Sequence, residues 1–210
     1  MLPDIDTRRA RIAPKQAQLD AVAQLGAGAS WTDFGTARSL IRYGGFLASG
    51  IEAPSPEAAA LSFISANRSL YRLDSVDGLS VATVAPIGRS AFVVVLRQRV
   101  DGLLVSPEGS ASIGVRRSDG GWNVAYASST LVGSDKLANT AELSRLEALD
   151  RALENVGQDV SLSEMEGGGV RAGWRHVDVE GLQDDQLVRR VAFPTPRRGS
   201  GFGWSSTRTS

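Results

Sequence analysis

The sequence predicts an α+β fold: a helix packed on an antiparallel β-meander, followed by a second, smaller unit of one helix and an antiparallel sheet. Three observations lead there. A capped helix opens at Ser55-Pro56; from Leu79 the apolar period changes to strand-like runs with Asp-Gly turns between them; and at Ser144 a second capped helix precedes further strand-like runs. A helix followed by a run of strands gives a layer in which the helix covers one sheet face.

Residues 1–54 read as a short helix over 15–25 and then an extended arm, rich in Gly. The arm carries Trp31, Phe34, Leu40, Ile41, Tyr43, Phe46 and Leu47, too many apolar side chains for a free linker, so it is expected to pack against the rest. Residues 55–139 form the main unit. Ser55 can accept an orphan amide while Pro56 supplies the φ of a first helical residue, and the helix is expected to reach about residue 70 with Ala59, Ala60, Phe63, Ile64 and Leu70 near one face. Strand-like runs follow at 79–85, 91–100, 103–105, 110–116 and 122–127, with hairpin turns at Asp101-Gly102 and Asp119-Gly120-Gly121. Short loops between successive strands imply antiparallel pairing.

Residues 140–210 form the smaller unit. Ser144 and Glu147 have capping-box spacing ahead of Leu146, Leu149, Ala152, Leu153 and Val156, and Gly157 ends that helix. The polar stretch 158–169 reads as a loop with a Gly167-Gly168-Gly169 turn, and strands are expected at 172–179 and 186–193. A last strand-like segment over 202–210 is expected to leave the unit incomplete at the C-terminus.

Composition narrows the functional classes. Hydrophobic residues at 42% and charged residues at 22% describe globular material, and 23 basic against 23 acidic residues leave no global field for nucleic acid or an anionic membrane. The absence of Cys removes disulfides, thiolate metal sites and Cys nucleophiles. No apolar run approaches the roughly 20 residues that span a bilayer, and the charged start of the chain lacks the apolar core of a signal peptide.

Zinc peptidases need two imidazoles one helical turn apart with a glutamate between them, the HExxH pattern. This chain has one histidine, His176, so a catalytic zinc site would need three carboxylates or a partner chain. His176 lies in a strand-like run and no nucleophile elbow accompanies it, which leaves it as an ordinary strand histidine. Asp184-Asp185, Glu164 and Glu166 read as solvated acids, and the glycines of 199–203 as a flexible turn without phosphate-loop spacing. Arg116-Arg117, Arg189-Arg190 and Arg197-Arg198 are local pairs with acids interspersed. The chain is expected to be no enzyme, with no cofactor and no metal of its own.

Six segments in order carry a resemblance. They are Trp31-Thr32-Asp33-Phe34-Gly35-Thr36 with the following 38–47; the helix from Glu57 through Asn67-Arg68 to Leu73; Arg97-Gln98-Arg99-Val100-Asp101-Gly102-Leu103; 122–129; the Ser144 helix; and 179–196. Together they resemble the N-terminal pro-region of bacterial fungalysin-like metallopeptidases, a fungalysin/thermolysin propeptide domain followed by a partial PepSY-like (cystatin-like) unit. The resemblance implies a secreted protein whose pro-region assists folding of a zinc metallopeptidase catalytic domain and masks its cleft until cleaved. The alternatives are a stand-alone inhibitor or binding module acting in trans, and a fragment of a broken peptidase gene. The implied partner is the metallopeptidase catalytic domain, with neither nucleic acid nor membrane. Candidate partner contacts are Arg97, Gln98 and Gly102 on the sheet and Trp31 and Phe34 on the arm. The same residues have an internal reading, with Arg97 and Gln98 satisfying hydrogen bonds and Trp31 filling the core. One departure from the family pattern is Ser106-Pro107-Glu108-Gly109, whose proline cannot donate to a ladder and predicts a short strand after the Asp101-Gly102 turn. The other is the ending, where 201–210 stands in place of a continuation into the peptidase.

Overall fold

The computed structural model describes residues 11–134, 143–158, 160–161, 163, 165–171 and 173–196, and the backbone alone of 203–209. The fold is α+β, with a large antiparallel sheet under one helix and a small antiparallel sheet under another.

Helix α1 (Gln16–Gln24) is held by one buried side chain. Gln18 accepts from the Lys15 amide at 2.9 Å and donates to the carbonyls of Gly35 (2.9 Å) and Leu70 (3.1 Å), clipping the helix to two later segments. The arm then builds three short strands, β1 (Gly28–Trp31), β2 (Ala37–Ile41) and β3 (Ala48–Ile51), all of which enter the large sheet. Helix α2 (Pro56–Ala66) begins as its sequence demands, with the Ser55 hydroxyl accepting from the Ala58 amide at 3.2 Å. It stops earlier than expected, at Asn67, and gives way to a 3-10 turn (Arg68–Tyr71).

The meander consists of β4 (Leu79–Pro86), β5 (Ala91–Val100), the two-residue β6 (Leu103–Leu104), β7 (Ser110–Ser118) and β8 (Gly121–Ser129). Strand order is β1-β2-β8-β7-β5-β4, with β3 also on β8 and β6 on β5. As the proline at 107 predicts, the far strand of the Asp101-Gly102 hairpin is short. Ala59, Ala60, Phe63 and Ile64 of α2 pack on Leu40, Val94, Leu96, Ile113, Val115 and Val124, forming the main core on one sheet face.

Tyr71 lies in this core, 1% exposed, and its hydroxyl has no hydrogen-bond partner among the described residues. Burial pushes its phenol pKa up, keeping it neutral. An orphan buried hydroxyl costs stability, so Tyr71→Phe is expected to stabilise the fold by about 1 kcal/mol. A midpoint of thermal unfolding roughly 2–4 °C higher would show it.

The smaller unit begins with α3 (Arg145–Asn155), whose capping box is formed: the Ser144 amide donates to Glu147 at 2.7 Å and the Glu147 amide to the Ser144 hydroxyl at 3.2 Å. These Ser144 hydrogen bonds hold the Glu147 carboxyl below the ordinary carboxylate range. Leu149 and Leu153 pack on Met165, Val177, Val179 and Val188 of a sheet ordered β12-β11-β10-β9, where β9 is Met165–Arg171, β10 Trp174–Val179, β11 Gln186–Thr195 and β12 Gly203–Thr209. One expectation is corrected here: Gly167-Gly168-Gly169 is not a turn but the middle of β9, paired with β10. Glycine is used there for close approach, since a Cβ on Gly168 would come within 3.2 Å of the His176 carbonyl.

The two sheets meet at one short segment. Val105 forms a parallel bridge with Ala192, the Ser106 amide donates to the Ala192 carbonyl at 3.0 Å, and Phe34, Val100, Val105, Val132 and Ala192 close a second small core around the joint.

Candidate functional site

Arg97 and Gln98 are neighbours on β5 and therefore face opposite sides of the sheet. Gln98 shares the face of Val94 and Leu96, is 2% exposed, donates to the Gly133 carbonyl at 2.6 Å and accepts from the Val132 amide at 3.1 Å. Its amide is thus spent inside the protein and is not presented to a partner. Phe34 is also buried, 4% exposed. The segment around it folds back on hydrogen bonds from Thr32 to Thr36, with Gly35 at φ +67°, and drives the ring into the joint between the sheets. Trp31 is half-buried against the main core. Gly102 sits at an exposed turn with Asp101, both at positive φ as a type I′ hairpin requires, and its carbonyl accepts from Arg99 at 3.0 Å. The five expected contact residues therefore do not converge, and Arg97 alone of them presents an exposed, charged side chain.

Arg97 stands on the sheet face opposite α2. One row runs straight across six strands through Ser30, Ser39, Ser128, Ser112, Val95 and Thr83, each directly paired with the next. The adjoining row contains Ser80, Arg97 and Ser110, with the Ser110 hydroxyl 3.2 Å from that of Thr130. On the other side the Tyr126 ring lies over Gly114, where any Cβ would overlap it. That ring belongs to a third row, Ile41, Tyr126, Gly114, Val93 and Ala85, so the face carries mostly hydroxyl-bearing side chains along two rows and apolar ones along the next.

At the Arg97 corner this face meets the small sheet. The Val105 amide donates to the Gln98 carbonyl at 3.0 Å while Ser106 holds Ala192, so one segment ties β5 to β11. Half-buried Arg189 of β11 stacks on Trp174 of β10, its guanidinium carbon 4.1 Å from the ring centroid, and reaches the Ser106 hydroxyl at 3.5 Å. Burial first, and the nearby positive charge of Arg97 second, push the Arg189 pKa down. Neither guanidinium has a carboxylate partner among the described residues. Sequence reasoning saw Arg189 only as half of a basic pair. The other described pair is likewise split from its neighbour, Arg117 lying 5.2 Å from the Trp122 ring centroid.

Elsewhere the chemistry is sparse. His176 Nδ1 stands 3.2 Å from Asp185 on the exposed side of the small sheet. Among the described residues no group of three His, Cys, Asp or Glu is placed to hold a metal ion, and no helix is long and apolar enough to cross a membrane. A pocket of about 160 Å³ lies between Gln98, Arg99, Asp101 and Gly133. Glu164, the Arg197-Arg198 pair and the glycine turn at 199–202 lie outside the described residues. Compared with protein-family models, with curated proteins and with solved structures, the chain finds no match.

Proposed function

We propose that this chain is the pro-region of a secreted zinc metallopeptidase, a non-catalytic domain that assists folding of the catalytic domain and masks its cleft. One observation carries the reading beyond the resemblance of its segments: among the described residues α2 covers one face of the large sheet, and the opposite face carries hydroxyl-bearing and apolar rows with an exposed Arg97 that makes no ion pair among those residues. Such a face suits docking of a second domain rather than enclosure of a small substrate. Held in cis by a tether, the pro-region occupies its partner at an effective concentration near millimolar, so modest intrinsic affinity masks the cleft and cutting the tether releases it.

Reading the transcript beyond the codon for Ser210 tests this directly. An in-frame HExxH is expected; a long open frame encoding no peptidase would remove the proposal. At the protein level, Arg97→Ala is expected to weaken inhibition of the mature peptidase about 10- to 100-fold, the loss of one charged hydrogen-bonding group, while leaving the unfolding midpoint unchanged. Equal loss of inhibition and stability would return Arg97 to a purely internal role.

A further inference from the structure

We infer that Arg97 and Arg189 form a two-guanidinium clamp for a carboxylate, and that its occupant is an acidic side chain of the peptidase domain; this rests on the pro-region reading and names the chemistry of its docking site. The clamp is built from both units, Arg97 from the large sheet and Arg189 from the small one, brought to one corner by the Val105–Ala192 bridge. Arg189 lies over the Trp174 ring and its Nη2 stands 3.5 Å from Ser106 Oγ, which leaves the other guanidinium N–H groups available to donate. Arg97 makes no ion pair among the described residues, and the backbone brings it toward Arg189: the Val105 amide bonds the carbonyl of Gln98, next to Arg97, and Ser106, next to Val105, lies 3.5 Å from the Arg189 guanidinium. Two like charges held together without a counter-charge are unfavourable until an anion enters between them, and a planar carboxylate matches the fork geometry of both. A nucleic-acid backbone is bound through many phosphate contacts along a run of cations and loses affinity steeply with salt, whereas a carboxylate needs only the pair.

The test has two arms. In the first, the purified full chain is titrated with the capped peptide acetyl-Glu-Glu-Glu-amide at low ionic strength while the arginine Nε–Hε resonances are followed by NMR. Selective shifts of Arg97 and Arg189, absent in Arg189→Gln and weakened by salt, are expected. Inorganic phosphate is run in parallel, and equal or stronger shifts with phosphate would overturn the carboxylate assignment. In the second arm, inhibition of the mature peptidase is measured for Arg97→Ala, Arg189→Ala and the double variant. Each single change is expected to weaken inhibition about 10- to 100-fold, with the double variant losing much less than the product because the two act on one group. Arg189→Lys, which keeps charge and ring cover but loses the fork, should lose most of the effect and guards against a folding artefact. Failure of the wild-type chain to inhibit removes the pro-region reading while leaving the peptide titration to judge the clamp. Inhibition unchanged by Arg189 substitution overturns the clamp and leaves the reading standing.

Discussion

Replacing Gln98 with alanine is expected to destabilise the fold by about 3 kcal/mol, lowering the thermal midpoint by roughly 6–12 °C. The amide makes two hydrogen bonds inside the protein, to the Val132 amide and the Gly133 carbonyl, in a position 2% exposed. Truncation leaves both backbone groups unpaired away from water, and each costs more than the bond it loses. A cavity adds to this. Leu131, Val132 and Gly133 follow β8 and are buried, so the amide pins the chain's exit from the large sheet. Chemical denaturation is the measurement. The contrast with Arg97→Ala, one residue away, is the sharper outcome: the neighbour on the open face should change binding without changing stability.

Gly109→Ala is the second large effect, expected at about 3 kcal/mol or more from two independent causes. Gly109 has φ +81°, where an L side chain is strained, and any Cβ placed there would overlap the side chain of Val105. The backbone cannot shift freely, because the Gly109 carbonyl accepts from Gln98 at 2.7 Å and its amide donates to Thr130 at 2.8 Å. Val105 itself forms the bridge to Ala192, so the disturbance should reach the joint between the sheets. Amide hydrogen exchange checks this: faster exchange at Ser106, which donates across the joint, is expected along with the global loss, whereas Gly120→Ala, with open space around its Cβ, should change little.

Much of the architecture was legible because its signals are local. Ser55-Pro56 and Ser144 with Glu147 announce the starts of α2 and α3, and both caps are formed as written. The limits of β5 follow from the uninterrupted run over 91–100 and its Asp101-Gly102 turn. Strands β1 to β3, at four or five residues each, are too short for a period to emerge, and their place is set by the pairing of β2 and β3 with β8 far along the chain, β1 following on β2. Strand β9 was missed because Gly167-Gly168-Gly169 has no side chains to alternate.

The site divides in the same way. Burial of Gln98 was available from parity, since it falls on the face of Val94 and Leu96. No local pattern points to Arg189 and Trp174 as companions of Arg97, because the bridge that brings them together joins distant segments through two backbone contacts.

The hydroxyl rows have a consequence for how tightly anything can be held. Serine and threonine offer little apolar area and no protruding anchor, so contact along them excludes water without adding much energy. Strength must then come from either side of them, from the guanidiniums at one corner and from Ile41 and Tyr126 in the apolar row, giving a lock with a broad plate and few bolts. Such a lock is sensitive to salt, to loss of one residue and to loss of the tether, which are the properties a removable mask requires.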